Sequence, residues 1–251
     1  MSEIKEFFNR RAIDRNLETG KNPILEYEQA VRSRMVIHMF DPMLNEAILD
    51  VGCGTGRDLI LLGREVSSCI GIDSSDAMIE GARKNLHKVR INGVKVEIGD
   101  ATNLRFSDQT FDKVLSSEVL EHIPDYDKAI SEMGRVLKSS GLLVITTPNR
   151  QSMYGFDRYV IYGKLLKKTW SHPYDAWKTF DELVSALNNS GFRVVSFSGI
   201  CYIPGFVIPY RLPTVLKRLL VFFVGGLEQW LSKILPKNGY MLAIKAVKKK
   251  K

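Results

Sequence analysis

Several stretches of this sequence carry side chains able to bind a ligand or do chemistry together. Ile48-Leu49-Asp50-Val51 runs into Gly52-Cys53-Gly54-Thr55-Gly56, with glycines spaced by two, and then Arg57-Asp58. Glycine lets a backbone turn tightly and approach a ligand closely. No Lys-Ser/Thr follows, so this is no phosphate loop, and the third glycine comes one residue too early for G-x-G-x-x-G. Asp73 ends Ile70-Gly71-Ile72-Asp73, about 20 residues past the loop, where an acceptor-only carboxylate can grip a ribose diol. Asp73-Ser74-Ser75 is equally good chemistry for capping a helix. Asp100, in Gly99-Asp100-Ala101, can accept from an exocyclic amine. Glu118, Glu121 and His122 stand at i, i+3 and i+4, and on a helical turn they would share one face. Such a set suits Mg²⁺, Mn²⁺ or Zn²⁺, which would acidify a bound hydroxyl. His122 alone is the natural general base, His172 is the second candidate, and His38 and His87 fall on predicted helices.

The elements that must position these groups alternate. Helical spacing marks Pro23–Phe40, Arg57–Arg64, Ala77–His87, Asp125–Leu137 and Phe180–Asn189. Strand patterns mark Ala47–Val51, Cys69–Ile72, Val94–Ile98, Lys113–Ser116, Leu142–Thr147, Phe192–Ser198 and Tyr240–Val247. Strands alternating with helices predict a parallel sheet covered on both faces. The rhythm breaks twice, so the chain reads as one domain, 1–251. Its core covers about 41–150, 178–199 and 239–247, with insertions at about 151–177 and 200–238.

In unbroken order, ILDVGCGTG, GIDSS, GDATNLRF, FDKVLSSEVLEHIPD and GRVLKSSGLLVITTPN resemble the signatures of the class I S-adenosylmethionine-dependent methyltransferases, over Ile48–Pro148. The resemblance implies a Rossmann-like α/β fold: seven strands, mostly parallel, with an antiparallel last strand. It implies S-adenosylmethionine as cofactor, its methionine part cradled by Gly52–Gly56. It also implies Asp73 on the ribose hydroxyls, Asp100 on the adenine amine and Ala101 beside the ring. Asp50, Cys53, Gly54, Ser74 and Ser117 complete the cofactor set it implies.

Outside the core the chain is similar to the ubiquinone-pathway O-methyltransferases, which act on polyprenylated catechols. Arg32 stands twenty residues before Gly52, where the resemblance implies an arginine contacting the cofactor. Ser117–His122 matches that family's E-x-x-E-H, and Ser171–Phe180 its histidine segment, with Pro173 and Tyr174 inserted. Ser198–Pro204 and Gly239–Leu242 resemble its C-terminal strands, whereas Gly205–Lys237 is longer than expected. The implied activity is O-methylation of an amphipathic small molecule such as a prenylated catechol or quinone precursor, with Glu118, His122 and His172 as catalytic candidates. E-x-x-E-H also occurs in metal-free methyltransferases, so Mg²⁺ stays one reading of it. Carbon methylation of a quinol ring, 2′-O-methylation of RNA and cofactor binding without turnover remain alternatives. No Asn-Pro-Pro-Tyr occurs, which argues against amino-methylation of adenine or glutamine.

Composition bounds the rest. With 251 residues, 45% hydrophobic and 25% charged, the chain is neither disordered nor a disulfide-stapled mini-domain. Three cysteines without a C-x-x-C pair predict a reducing, cytoplasmic setting. Met1–Arg11 shows no secretory signal, and the apolar run Leu219–Leu227 is far short of the ~20 residues that span a bilayer. Residues 151–251 hold 16 Lys/Arg against five Asp/Glu, while residues 1–150 hold 20 against 23, so the basic excess lies wholly in the last part. Residues 151–170 mix aromatics with cations, and 203–235 place Leu212, Val215, Leu216, Leu219, Leu220 and Phe223 at helical spacing. Arg211, Lys217 and Arg218 fall on another side. This pattern predicts peripheral contact with an anionic membrane surface, or else a lid packed on the sheet with a solvated basic face. The basic balance also fits nucleic acid, but no binding motif for it is present.

Overall fold

The computed structural model describes residues 2–18, 23–167, 173–202 and 213–250. The chain opens with α1 (Ser2–Glu18) and α2 (Pro23–Phe40). Then follow β1 (Ala47–Val51), α3 (Arg57–Leu62), β2 (Ser68–Asp73), α4 (Asp76–Lys88), β3 (Val94–Ile98) and β4 (Phe111–Ser117). A single 3₁₀ turn, Leu120–His122, precedes α5 (Tyr126–Val136) and β5 (Leu137–Pro148). After α6 (Met153–Phe156), a wide-turned helix over Asp157–Leu165, α7 (Phe180–Asn189), β6 (Phe192–Ile200) and α8 (Thr214–Ile234), the last strand is β7 (Met241–Lys248).

The seven strands form one sheet in the order β3-β2-β1-β4-β5-β7-β6. β7 runs antiparallel to both neighbours, and the other pairs are parallel. This is the α/β architecture expected from the alternation. Side chains alternate across it as strand geometry requires. Leu49, Val51, Val114 and Ile145 pack with α5 and α7 through Ile130, Met133 and Leu183. Ile48, Leu115 and Val144 pack on the opposite side with Phe40, Leu59 and Ile79 from α2, α3 and α4. Both faces are therefore buried, which is why β1 and β5 read as near-continuous apolar runs.

Caps fix the helices that leave the sheet. Ser75 Oγ accepts from Met78 N–H at the start of α4, and Asp125 caps α5. Thr179 and Glu182 form a reciprocal capping box at α7. Such caps contribute about 1 kcal/mol each.

One element differs from the sequence reading and a second gives its helical spacing a definite extent. α1 is a full helix although its opening residues read only as polar. It lies on α4, where Asn9 Oδ1 accepts from Ser75 Oγ at 2.6 Å and Lys5 pairs with Asp76. The second insertion holds the long helix α8, seated against α2 and β6. Among the described residues no helix is long and apolar enough to cross a membrane.

Candidate active site

β1 and β4 are neighbours, yet α3 and α5 leave them toward opposite faces of the sheet. At such a reversal the loops part and open a crevice beyond the strands' C-terminal ends. The glycine loop after β1 and the Glu118–His122 segment after β4 face each other there. Gly52, at φ +77°, lies so close to Val119 that a Cβ would collide with it. Gly54, at φ +52°, has open space where a Cβ would stand. Its N–H donates to Asp73 Oδ2 at 2.9 Å, and Ser75 N–H donates to Asp73 Oδ1 at 2.9 Å. Asp73 is therefore braced across the loop. The N-cap of α4 is Ser75, two residues on, while Asp73 accepts from the Ser75 N–H just ahead of the helix. Ser74 beside it is exposed.

The remaining members of the expected cofactor set surround this loop. Cys53 is buried, where desolvation holds its thiol well above the ordinary thiol range, and Gly56 packs against Ala82. Asp100 Oδ1 accepts from both N–H and Oγ of Thr102, and Ala101 is half-buried against the core. Ser117 Oγ pairs with Thr146 Oγ1 at 2.9 Å.

Arg32, which the resemblance places on the cofactor, stands in a buried ion-pair cluster. Its Nη1 donates to Glu118 Oε2 at 2.9 Å and its Nη2 lies 3.6 Å from Asp58 Oδ2. Asp58 also accepts from Ser33 Oγ. Asp50 shares the α2-facing side of β1 with Ile48. Burial, then Asp58, holds its carboxyl well above the usual range, and Arg32 opposes this. Burial works against the charge of Arg32, yet Glu118, Asp58 and Asp50 together raise its pKa. Arg32 Nε and Asp50 Oδ2 are buried without hydrogen-bond partners. One guanidinium thus serves three carboxylates directly behind the glycine loop.

The expected metal set does not assemble. Glu118 has φ +56°, in the left-handed region, so the chain does not continue as a helix from Glu118 to His122. Glu118 turns to Arg32, while Glu121 is buried and its Oε2 accepts from Thr147 Oγ1 at 3.0 Å. Burial, then Glu118, pushes the Glu121 carboxyl well above its usual range. Among the described residues no three His, Cys, Asp or Glu side chains are arranged to hold a metal ion. The spacing argument failed because it assumed a helical turn where the backbone reverses hand.

His122 occupies the crevice. Its Nδ1 lies 3.4 Å from Tyr174 O and 4.0 Å from Asp175 Oδ1, and its Nε2 lies 3.7 Å from Glu121 Oε1. A carbonyl only accepts, so a hydrogen bond to Tyr174 O requires the tautomer with the proton on Nδ1, in which Nε2 is the basic nitrogen. Asp175 is itself held by Arg158 at 2.7 Å and by Trp177 Nε1 at 3.0 Å. Arg158 stacks over the Trp177 ring at 4.6 Å. An aromatic wall continues from Trp177 to Tyr240 and on to Tyr154, with ring centroids 5.6 and 4.4 Å apart. Phe8 of α1 meets His122 edge-on at 5.0 Å. The sequence reading missed Asp58, Arg158, Asp175 and the aromatic wall. Asp175 lies inside the quoted histidine segment, and its acid type was the available signal. His172 lies outside the described residues.

The site's donors and acceptors fit an adenosylated amino-acid cofactor. The cradle at Gly54 is open, a braced carboxylate stands beside it, and a second carboxylate follows at the end of β3.

Comparison with known proteins agrees with this geometry. A family model described as a methyltransferase domain matches residues 44–188. Demethylmenaquinone methyltransferase of Staphylococcus haemolyticus is 32% identical over 203 residues, covering 71% of this chain and 83% of the relative. The Staphylococcus aureus (strain JH9) protein of the same description is 34% identical over 202 residues, covering 71% and 82%. An uncharacterized protein of a Streptomyces fradiae transposon is 37% identical over 122 residues, 47% of this chain, which spans only 35% of that relative's length. Among solved structures, an S-adenosylmethionine-dependent methyltransferase of Thermotoga maritima superposes with a TM-score of 0.68 at 20% identity, over 97% of this chain and 99% of that one. Phosphoethanolamine N-methyltransferase 2 of Haemonchus contortus, in complex with S-adenosyl-L-methionine, superposes with a TM-score of 0.61 at 23% identity, over 87% and 52%.

Proposed function

Since this chain belongs to the S-adenosylmethionine-dependent methyltransferases, we propose that it transfers the methyl group to a hydroxylated aromatic ring carrying an apolar tail, a precursor of the quinone class. The observation that carries this reading is His122, backed by Tyr174 O and Asp175, at one end of a wall built from Trp177, Tyr240 and Tyr154. An aromatic wall suits a planar apolar acceptor, and a single base beside it suits a phenolic proton.

The cofactor supplies an activated methyl on a sulfonium. The chain's own residues do the rest. In this reading Asp73 receives the ribose hydroxyls and Asp100 the adenine amine, while the Gly52–Gly56 backbone admits the amino-acid portion. Arg32 holds Glu118 in its left-handed turn, while the next residue, Val119, seats the β4 loop closely against Gly52. His122 Nε2 takes the acceptor's hydroxyl proton as the oxygen attacks, and the Nδ1 contact with Tyr174 O keeps the ring in that tautomer. Alignment of nucleophile and methyl supplies much of the rate.

A second reading is favoured by the relatives' description. Removing the proton from a quinol leaves an anion whose charge is shared between oxygen and ring carbon. Which of the two faces the methyl decides between O- and C-methylation, with His122 in the same role. The test is incubation of the full chain with isotopically methyl-labelled cofactor and, separately, a prenylated catechol and demethylmenaquinol. Label entering either ring supports the proposal, and NMR of the product separates a methoxy from a ring methyl. Transfer to neither, by a protein that binds the cofactor, would overturn the acceptor class.

A further inference from the structure

α8 presents an apolar stripe to the outside. Val215, Leu219, Phe223, Leu227, Trp230 and Ile234 are all exposed, Phe223 by 70% and Trp230 by 58%. At about 100° per residue they fill an arc of about 120°, centred nearly opposite Glu228. Glu228 is buried and accepts from Tyr27 Oη at 3.0 Å, so the helix is seated on α2 by its other side. Its end is fixed as well. Tyr202 Oη donates to Leu235 O at 2.9 Å, and Asn149 Nδ2 donates to Lys237 O and Gly239 O. The stripe is therefore displayed on an anchored helix rather than on a loose tail. A continuous exposed apolar face of this kind marks an interaction surface.

Charge identifies the occupant. Between residues 200 and 239 the chain has five Lys/Arg (Arg211, Lys217, Arg218, Lys233 and Lys237) against one acid, Glu228, which faces inward. We propose that α8 is a membrane-docking helix that lies in the interface of an anionic lipid bilayer, its apolar stripe inserted and the Lys/Arg excess of this segment of the chain attracted to the headgroups. An amphipathic helix rich in Lys and Arg with Trp, Phe and Leu on the apolar side binds bilayers in this manner. A second copy meeting this face would bring two equally basic segments together, and like charges across an interface repel.

The proposal is independent of the acceptor named above. Its test is co-flotation of the full chain with vesicles of phosphatidylcholine alone and of phosphatidylcholine with phosphatidylglycerol, at low and high salt, using wild type and the Leu219→Asp/Phe223→Asp variant. The expected result is flotation with anionic vesicles that weakens with salt, a blue shift of tryptophan emission, and at least about tenfold weaker partition of the variant with unchanged cofactor affinity. Absence of flotation at low salt would overturn the proposal. Equal binding to neutral and anionic vesicles would do the same, as would a dimer seen by sedimentation that dissociates in the variant.

Discussion

Replacing Arg32 by glutamine tests the electrostatic arrangement behind the glycine loop. Arg32 is 9% exposed, donates to Glu118 at 2.9 Å and stands 3.6 Å from Asp58, with Asp50 and its unpartnered Oδ2 beside them. Removing the guanidinium leaves three carboxylates with no counter-charge. Breaking a buried pair by deleting one partner costs roughly 3–5 kcal/mol, because the remaining charge stays desolvated. For a chain of this size each kcal/mol moves the melting midpoint by about 2–4 °C, so Arg32→Gln should melt roughly 6–20 °C below wild type at pH 7. The pH dependence has a definite sign. Arg32 lowers the Asp50 carboxyl pKa that burial and Asp58 raise, and its loss lets the native state hold protons that the unfolded chain has released. A native state that binds more protons loses stability as pH rises, so the deficit should be largest at neutral pH and shrink on acidification towards pH ~4. Arg32→Lys should recover part of the loss, and Arg32→Gln with Glu118→Gln should lose less than the single change. Differential scanning calorimetry across pH reads all of these. A midpoint within about 2 °C of wild type at pH 7, or a deficit that does not change with pH, would refute the reasoning.

Asp73→Ala should weaken cofactor binding by ~1.5–3 kcal/mol in titration calorimetry, and an unchanged affinity in a folded variant would remove Asp73 from the ribose role. Gly54→Ala places a methyl in the open cradle at φ +52° and adds about 1–2 kcal/mol of left-handed backbone cost, so cofactor affinity should fall tenfold or more while the fold persists. His122→Ala should cut turnover by about 10²–10⁴ with little change in cofactor affinity, and chelation with EDTA should leave wild-type turnover intact because Glu118 turns away to Arg32 and Glu121 is held by Thr147. Glu121→Gln should melt above wild type at neutral pH and alike near pH 4. The native carboxyl keeps its proton where the unfolded one ionises, so wild-type stability falls as pH rises through that range. A constant difference across pH would refute this.

The strands, the glycine turn and both aspartates were legible because each rests on local chemistry. Buried strands show as apolar runs, tight turns as glycines, and the carboxylates close β2 and follow β3. What was not legible depends on distance or on backbone hand. Glu118 reads as the first residue of a helical turn, and only the left-handed φ forced by packing against the glycine loop sends it to Arg32. The Tyr27–Glu228 contact joins residues 201 positions apart, so α8 read equally well as a lid or a membrane helix. α1 has few apolar residues and gains its place from Asn9 and Lys5, polar contacts that periodicity does not register.

β7 pairs with β5 on one side and β6 on the other, although both of those strands precede it in the chain. During vectorial synthesis β5 is complete at Pro148, yet the strand that covers its outer edge begins only at Met241. At about 5–20 residues per second the edge stays open for roughly 5–20 s, and over the later part of that interval β6 has no partner at all. The nascent chain therefore carries a five-stranded half with an open rim at β5, and the sheet closes by wedging the last strand between two that are already made. Until Met241 emerges, that rim is an unpaired strand edge of the kind that pairs with other chains unless it is shielded.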